Sequence, residues 1–185
     1  MSELLLRARC FATAAHAAID QRRKYTGAPY IEHPAAVAAM VAEHGGSDVM
    51  IAAAWLHDVV EDTAITLALL RQEFGTEVAA LVEWLSDLQT PEDGNRAVRK
   101  AREAKRLSGA PAEAQTIKYA DLIHNTASIV RHDPGFARVY LREKRHVLAG
   151  MTSGHPVLYQ KALDSLQAGE QQLSLTPRQA GTASQ

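Results

Sequence analysis

The stretch Trp55-Leu56-His57-Asp58-Val59-Val60-Glu61-Asp62-Thr63 sets four ionisable side chains into and against the apolar run from Ile51 to Val60. Residues four apart share a helix face, and the pairs His57–Glu61 and Asp58–Asp62 both have that spacing. On a helix the four form one polar patch, with Leu56, Val59 and Val60 packing beside it. Three acids and a histidine in apolar surroundings are costly to bury unless something compensates them. A divalent cation is the simplest compensation, so the segment reads as half of a metal-dependent site carried on a helix.

The rest of the chain is punctuated as an all-α protein. Ala12 to Gln21 is Ala-rich and amphipathic. Pro34 suits a first helical position before Ala35 to His44, which Gly45-Gly46 stops. Ser47 or Asp48 caps a helix predicted to run through Val60. Thr66 caps Leu67 to Phe74, ended by Gly75, and Thr76 caps Glu77 to Leu88. Thr90 to Gly94 is a loop, and Arg96 to Leu107 a strongly basic helix broken at Gly109-Ala110-Pro111. Helices are expected over Glu113 to Val130, Phe136 to Met151 and Pro156 to Ala168, with a turn at Asp133-Pro134-Gly135. No period-two segment predicts a strand. The expected organisation is one domain over 1–168 and a disordered Gln/Ser/Thr/Gly-rich tail over 169–185.

Composition narrows the class of function. A chain of 185 residues with 46% hydrophobic and 22% charged residues has enough material for a single core. No apolar run approaches the ~20 residues of a membrane span, and no signal peptide is evident. The net charge of −1 gives no reason to expect nucleic acid or a membrane surface as partner. Cys10 is the only cysteine, which fits a reducing cytoplasm. Nothing in the sequence sets monomer or homodimer.

Two further places can complete the site. His33 precedes Pro34 at a helix entrance. Asp121 and Asn125 share a face within the apolar stretch Ile117 to Val130, with Lys118 one turn earlier. Two histidines with carboxylates make a mixed N/O donor set, which suits Mn, Fe or Zn better than Ca or Mg. The remaining histidines, His16, His44, His124, His132, His146 and His155, read as structural. Arg138, Tyr140, Arg142 and Lys144 either line a substrate mouth or coat a helix. The basic segment 96–106 reads as mainly a solvated face.

The order His33, then His57-Asp58 24 positions later, then Asp121 resembles the HD-domain metal-dependent phosphohydrolases. Arg23-Lys24 through Pro29-Tyr30-Ile31-Glu32-His33-Pro34 resembles the R-K-x-x-x-x-P-Y-I-x-H-P signature of the hydrolase domain in RelA/SpoT stringent-response proteins. His57 to Thr63 resembles that family's H-D-x-V-E-D-T, and Lys118 to Asn125 its K-x-A-D-x-x-x-N. The likeness runs over about residues 8 to 150, leaves no room for synthetase or regulatory domains, and points to a stand-alone small alarmone hydrolase built as a compact multi-helix bundle.

The resemblance implies roles. His33, His57, Asp58 and Asp121 match metal ligands, usually for Mn²⁺. Glu61 and Asp62 match the acid pair that orients or deprotonates the attacking water. Arg23 and Lys24 match the pair that holds base and phosphates, and Asn125 and Ser128 match positions near the nucleotide. Arg96 lies in the segment that supplies a phosphate contact in some small members. Leu122 and Ala127 replace family arginines, which bears on the 5′-phosphate contacts. The implied reaction removes the 3′-pyrophosphate of (p)ppGpp or (p)ppApp. Two rivals stand beside it. One is an HD-domain phosphatase acting on the 2′-phosphate of NADPH or on a nucleoside monophosphate. The other is a non-catalytic nucleotide-binding module, against which the intact Glu61-Asp62 pair argues.

Overall fold

A computed structural model of the protein describes residues 2–87 and 89–175, and its regular elements are helical. These are α1 (Glu3–Ala18), α2 (Glu32–Glu43), α3 (Asp48–Leu56), the single turn α4 (Val59–Asp62), α5 (Leu67–Leu85), α6 (Arg96–Ser108), α7 (Ala112–His132), α8 (Pro134–Gly150) and α9 (Pro156–Leu175), with a 3₁₀ turn at Pro91–Asp93 before α6. Side-chain caps fix several starts. Ser47 accepts from the Met50 N–H, Thr66 from Leu69, Asn95 from Val98 and Asp133 from Phe136. None of the helices in the described residues is long and apolar enough to cross a membrane.

The helices enclose two apolar cores. One is built from α1, α2, α3 and α5, the other from α6, α8 and α9, and α7 belongs to both. Ala114, Ile117 and Ala120 of α7 face the first core, while Tyr119, Leu122 and Val130 face the second. Every residue from Ala114 to Leu122 is buried as a result, Lys118 and Asp121 included. The two charged residues thus lie at the seam between the cores.

Several boundaries differ from expectation, α2 among them, which starts at Glu32 and leaves Pro34 as its third residue. Helix α1 starts at Glu3 because Leu4, Leu5 and Ala8 pack on the first core, and it ends at Ala18, ahead of Asp20 at φ 47°. The helix expected through Val60 breaks at His57–Asp58. The His57 ring Nδ1 lies 2.8 Å from the Ala54 carbonyl, the acceptor that a continuous helix would give to the Asp58 N–H. Helix α5 ends at Leu85, before an extended Ser86; Leu88 is outside the described residues. At the other end of the chain, α9 continues through 169–175, where a tail was expected. Leu166, Gly169 and Leu173 form its buried stripe, and Gly169 admits Val130 and Leu141 so closely that a Cβ would lie 2.9 Å from Val130. Residues 176–185 of the expected tail lie outside the described residues.

The break expected at Gly75 is present as a kink within α5, where φ is 86° and ψ 169°. Only glycine adopts that conformation without strain. Gly75→Ala is expected to cost about 1–3 kcal/mol, lowering the thermal midpoint by roughly 2–4 °C per kcal/mol for a chain of this size. Calorimetry checks this, and a shift within 1 °C would mean the kink relaxes freely.

Candidate metal centre

Two helices and the break between two others converge at the seam. His33 enters from the first turn of α2, His57 and Asp58 from the break between α3 and α4, and Asp121 from the middle of α7. His33 Nε2 lies 3.3 Å from Asp121 Oδ1 and 3.5 Å from Asp58 Oδ2. His57 Nε2 lies 3.2 Å from Asp58 Oδ2 and 4.0 Å from Asp121 Oδ1. Ligand atoms about 2.0–2.2 Å from a common ion are about 3.0–3.5 Å apart along the edges of a tetrahedron or octahedron. Three of the four separations fall in or at the edge of that range. The donor atoms of His33, His57 and Asp58 lie within 4.8 Å of one another, and Asp121 adds an oxygen facing both imidazoles. Neither buried Nε2 makes a hydrogen bond, so this His/Asp cluster fits a divalent metal.

Surrounding groups fix the donors. A carbonyl can only accept, so His57 Nδ1 carries the proton toward Ala54 and its Nε2 faces the carboxylates. His33 Nδ1 lies 2.8 Å from His124 Nδ1. Burial, reinforced by His33 and Arg23, pulls the His124 pKa down to about 4, so this ring stays neutral at pH 7. Tyr30 donates its hydroxyl to Asp58 Oδ2 at 2.7 Å, and Asn125 donates to Asp121 Oδ1 at 2.6 Å. Lys118 pairs with Asp121 Oδ2 at 2.8 Å.

The buried charges of the cluster hold one another. Burial works against charge on His57, yet Asp58 and then Asp121 raise its pKa to about 9. Burial also opposes ionisation of Asp58 and Asp121. His57 and His33 outweigh it at Asp58, as do Lys118 and His33 at Asp121, and both carboxyls lie below the usual carboxylate range.

The acid pair sits one turn on. Glu61 Oε2 accepts the Asp87 N–H at 3.0 Å, and Asp62 Oδ2 accepts from Gln21 Nε2 at 2.8 Å. Gln21 is itself held by buried His16, whose Nδ1 is 2.6 Å from Gln21 Oε1. Both acids have an exposed edge, but desolvation of their carboxyl ends raises both pKa values.

Two small clefts flank the cluster. One, of about 280 Å³, is lined by Asp58, Glu61, Asp62, Asp87, Glu103 and Asp121 together with Lys100, Lys118 and Lys144. The second, of about 270 Å³, is lined by Arg23, Glu32, His124, Ser128 and Arg131. Arg23 Nη2 donates to Asn125 Oδ1 at 3.1 Å, joining the two. Lys24 is exposed, over the Tyr25 ring and 3.5 Å from Asp133.

Arg96 is not brought to either cleft. It makes a bidentate pair with Glu143 at 2.8 Å and lines a separate groove between α6 and α8. The basic helix α6 is also more than a solvated face. Arg106 caps the end of α5 through the Trp84 and Ser86 carbonyls, and Lys100 pairs with Asp87 and Glu103. Of the open group on α8, Tyr140 and Lys144 line the first cleft, Arg142 lines the separate groove, and Arg138 donates to the Leu173 carbonyl. Reading the sequence missed His124 and Tyr30 as partners of the cluster. Tyr30 falls inside the quoted Pro-Tyr-Ile-x-His-Pro run, which was the available signal, and His124 had none beyond its place next to Asn125.

Comparison with known proteins agrees with this geometry. A family model described as HD domain matches residues 8–153. A probable guanosine-3′,5′-bis(diphosphate) 3′-pyrophosphohydrolase of Synechocystis is 37% identical over 81% of this chain and 20% of its own, so the chain spans a fifth of that relative's length. The guanosine-3′,5′-bis(diphosphate) 3′-pyrophosphohydrolase MESH1 of Homo sapiens is 36% identical over 70% of this chain and 72% of its own. Among solved structures, a metazoan ortholog of SpoT that hydrolyzes ppGpp superposes with a TM-score of 0.81 over 91% of this chain and 96% of its own. At 23% identity it attests the shared all-α fold.

Proposed function

The chain belongs to the HD domain family, and from that premise we propose that it hydrolyses the 3′-pyrophosphate of a purine alarmone, (p)ppGpp or (p)ppApp. The products are pyrophosphate and the nucleoside 5′-di- or triphosphate. One observation carries the reading. Two enclosed imidazole nitrogens without hydrogen bonds face two carboxylates at coordination-edge spacing, and a separate acid pair stands one turn away. The names of the relatives from Synechocystis and Homo sapiens support the substrate.

In this reading His33, His57, Asp58 and Asp121 hold the ion, with Mn²⁺ the first choice among divalent transition metals. Bound there, the ion supplies positive charge to phosphoryl oxygens and acidifies water. Glu61 takes a proton from the attacking water, a task suited to a carboxylate whose pKa is raised by desolvation. Asp62, steadied by Gln21, orients that water. Water attacks the phosphorus attached to the ribose 3′ oxygen. The O3′–P bond breaks, and its electron pair leaves on O3′, which takes up a proton. Pockets for small ligands span roughly 300–1,000 Å³, so neither cleft alone suits a whole nucleotide. The phosphorylated 3′ end occupies the cleft with the acid pair. The base lies on Arg23 in the second cleft, beside Ser128, and Lys24 offers a point charge at its edge. Arg96, paired with Glu143, reaches substrate only if that pair opens. A cytoplasmic setting fits the single cysteine.

The test incubates the protein and Mn²⁺ with ppGpp, ppApp, NADPH and nucleoside monophosphates, assaying pyrophosphate and phosphate separately. Release of pyrophosphate from the alarmones is expected. Phosphate alone would sink the reading in favour of a phosphatase, and tight nucleotide binding without turnover would favour a binding module. A second expectation concerns His124. His124→Phe keeps the ring volume but removes the Nδ1 that holds His33. Loss of such an outer partner weakens metal by about 10–100-fold, measurable by competition with a chelating dye; unchanged affinity would show that His33 needs no such support.

A further inference from the structure

We infer that buried His16 of α1 is a positioning residue for the acid pair: through Gln21 it fixes the direction in which the Asp62 carboxylate points. The inference rests on the hydrolase reading above, in which Asp62 orients the attacking water. The relay has two links. Gln21 Nε2 donates to Asp62 Oδ2 at 2.8 Å, and His16 Nδ1 lies 2.6 Å from Gln21 Oε1. An ionised carboxylate only accepts, so the amide presents its nitrogen to Asp62 and its oxygen to the imidazole. His16 Nδ1 therefore carries the proton of the second link. Without that donor the amide is free to turn over, which sets oxygen against oxygen at Asp62.

The surroundings set His16 apart from an ordinary core histidine. It is 1% exposed, beside the Tyr30 ring at a centroid distance of 4.8 Å, yet its Nε2 makes no hydrogen bond among the described residues. Buried polar atoms are normally satisfied, so an apolar side chain would fill this position at lower cost. What the histidine adds is the Nδ1–H. The backbone is arranged around the same bond. Helix α1 ends at Ala18, Asp20 takes a left-handed φ of 47°, and the Gln21 N–H returns to the His16 carbonyl at 3.1 Å. That conformation is unfavourable for a residue with a Cβ, although Asp bears it better than most, and Arg22 holds the Asp20 carboxylate at 2.8 Å. On its other side the Gln21 carbonyl accepts the Tyr30 N–H at 3.1 Å. The backbone of Gln21 is thus pinned, and the orientation of its amide is left for His16 to set.

Two substitutions separate the bond from the packing. Leucine nearly matches the imidazole in volume but has no donor. Asparagine places its Nδ2 near the position of Nδ1 and leaves the rest of the ring's space empty. Full-length, Mn²⁺-loaded protein is assayed for pyrophosphate release from ppGpp, with thermal midpoints measured beside it. His16→Leu should hold its midpoint close to that of the wild type. Its kcat should fall roughly 10–100-fold, the scale of a displaced reacting group, with KM within about threefold. His16→Asn should melt lower, since it opens a cavity, yet recover most of the lost rate. A packing role alone predicts the opposite order, the less stable variant being the slower. An unchanged kcat in His16→Leu would overturn the inference, as would a His16→Asn protein as slow as His16→Leu. Wild-type protein that releases no pyrophosphate from ppGpp would overturn the hydrolase reading and the inference with it, a failure visible without any variant.

Discussion

Glu61→Gln is expected to keep its metal and lose about 10²–10⁴-fold in kcat, the usual contribution of a positioned general base. Glutamine has the same shape and can present its carbonyl oxygen to the Asp87 N–H that Glu61 Oε2 now accepts at 3.0 Å. The turn between α4 and the end of α5 therefore stays tied. What the substitution removes is the ability to take a proton. Glu61 makes no contact with His33, His57 or Asp121 in ion-pair range, so metal content should not change. Metal stoichiometry by mass spectrometry and initial rates of pyrophosphate release check the two halves separately. A fully active variant would remove Glu61 from the chemistry, and a metal-free one would move it into the ligand set.

Asp121→Ala is expected to do the reverse, abolishing metal retention and, through it, turnover. It also strands a charge. Lys118 is buried in α7 with Asp121 as its close partner at 2.8 Å, and breaking such a pair costs about 3–5 kcal/mol. The variant should thus unfold at a markedly lower temperature even without metal. Replacing both charges is far less costly than removing one, so Lys118→Met/Asp121→Ala should recover most of the lost midpoint and still bind no metal. Retained metal in the double variant would exclude Asp121 as a ligand. Failure to recover the midpoint would mean that the destabilisation comes from the lost Asn125 contact.

Much of this framework was legible because it is encoded locally. Ser47, Thr66 and Gly75 mark helix limits through their own backbone or cap chemistry, and each stands where the sequence put it. His33, His57, Asp58 and Asp121 were gathered by motif, and they do meet. What escaped depends on contacts between distant segments. The break after Leu56 arises because an imidazole competes for the Ala54 carbonyl, a choice that periodicity cannot register. His124 gains its role only because α7 packs on α2. Arg96 pairs with Glu143 of α8, and Gly169 looked like the start of a tail although its missing side chain admits Val130.

Helix α7 walls both cores, and this makes the site depend on contacts between distant parts of the chain. Neither core closes until α7 docks, and the contacts that register it span 91 residues between His33 and His124 and 102 between Arg23 and Asn125. Loops that long are closed late, after local helices have formed. The donors of α2 and of the α3–α4 break therefore meet Asp121 only when segments far apart in the sequence have come together. An ion held there would tie together segments that the chain brings in from far apart, a cross-link between the two cores.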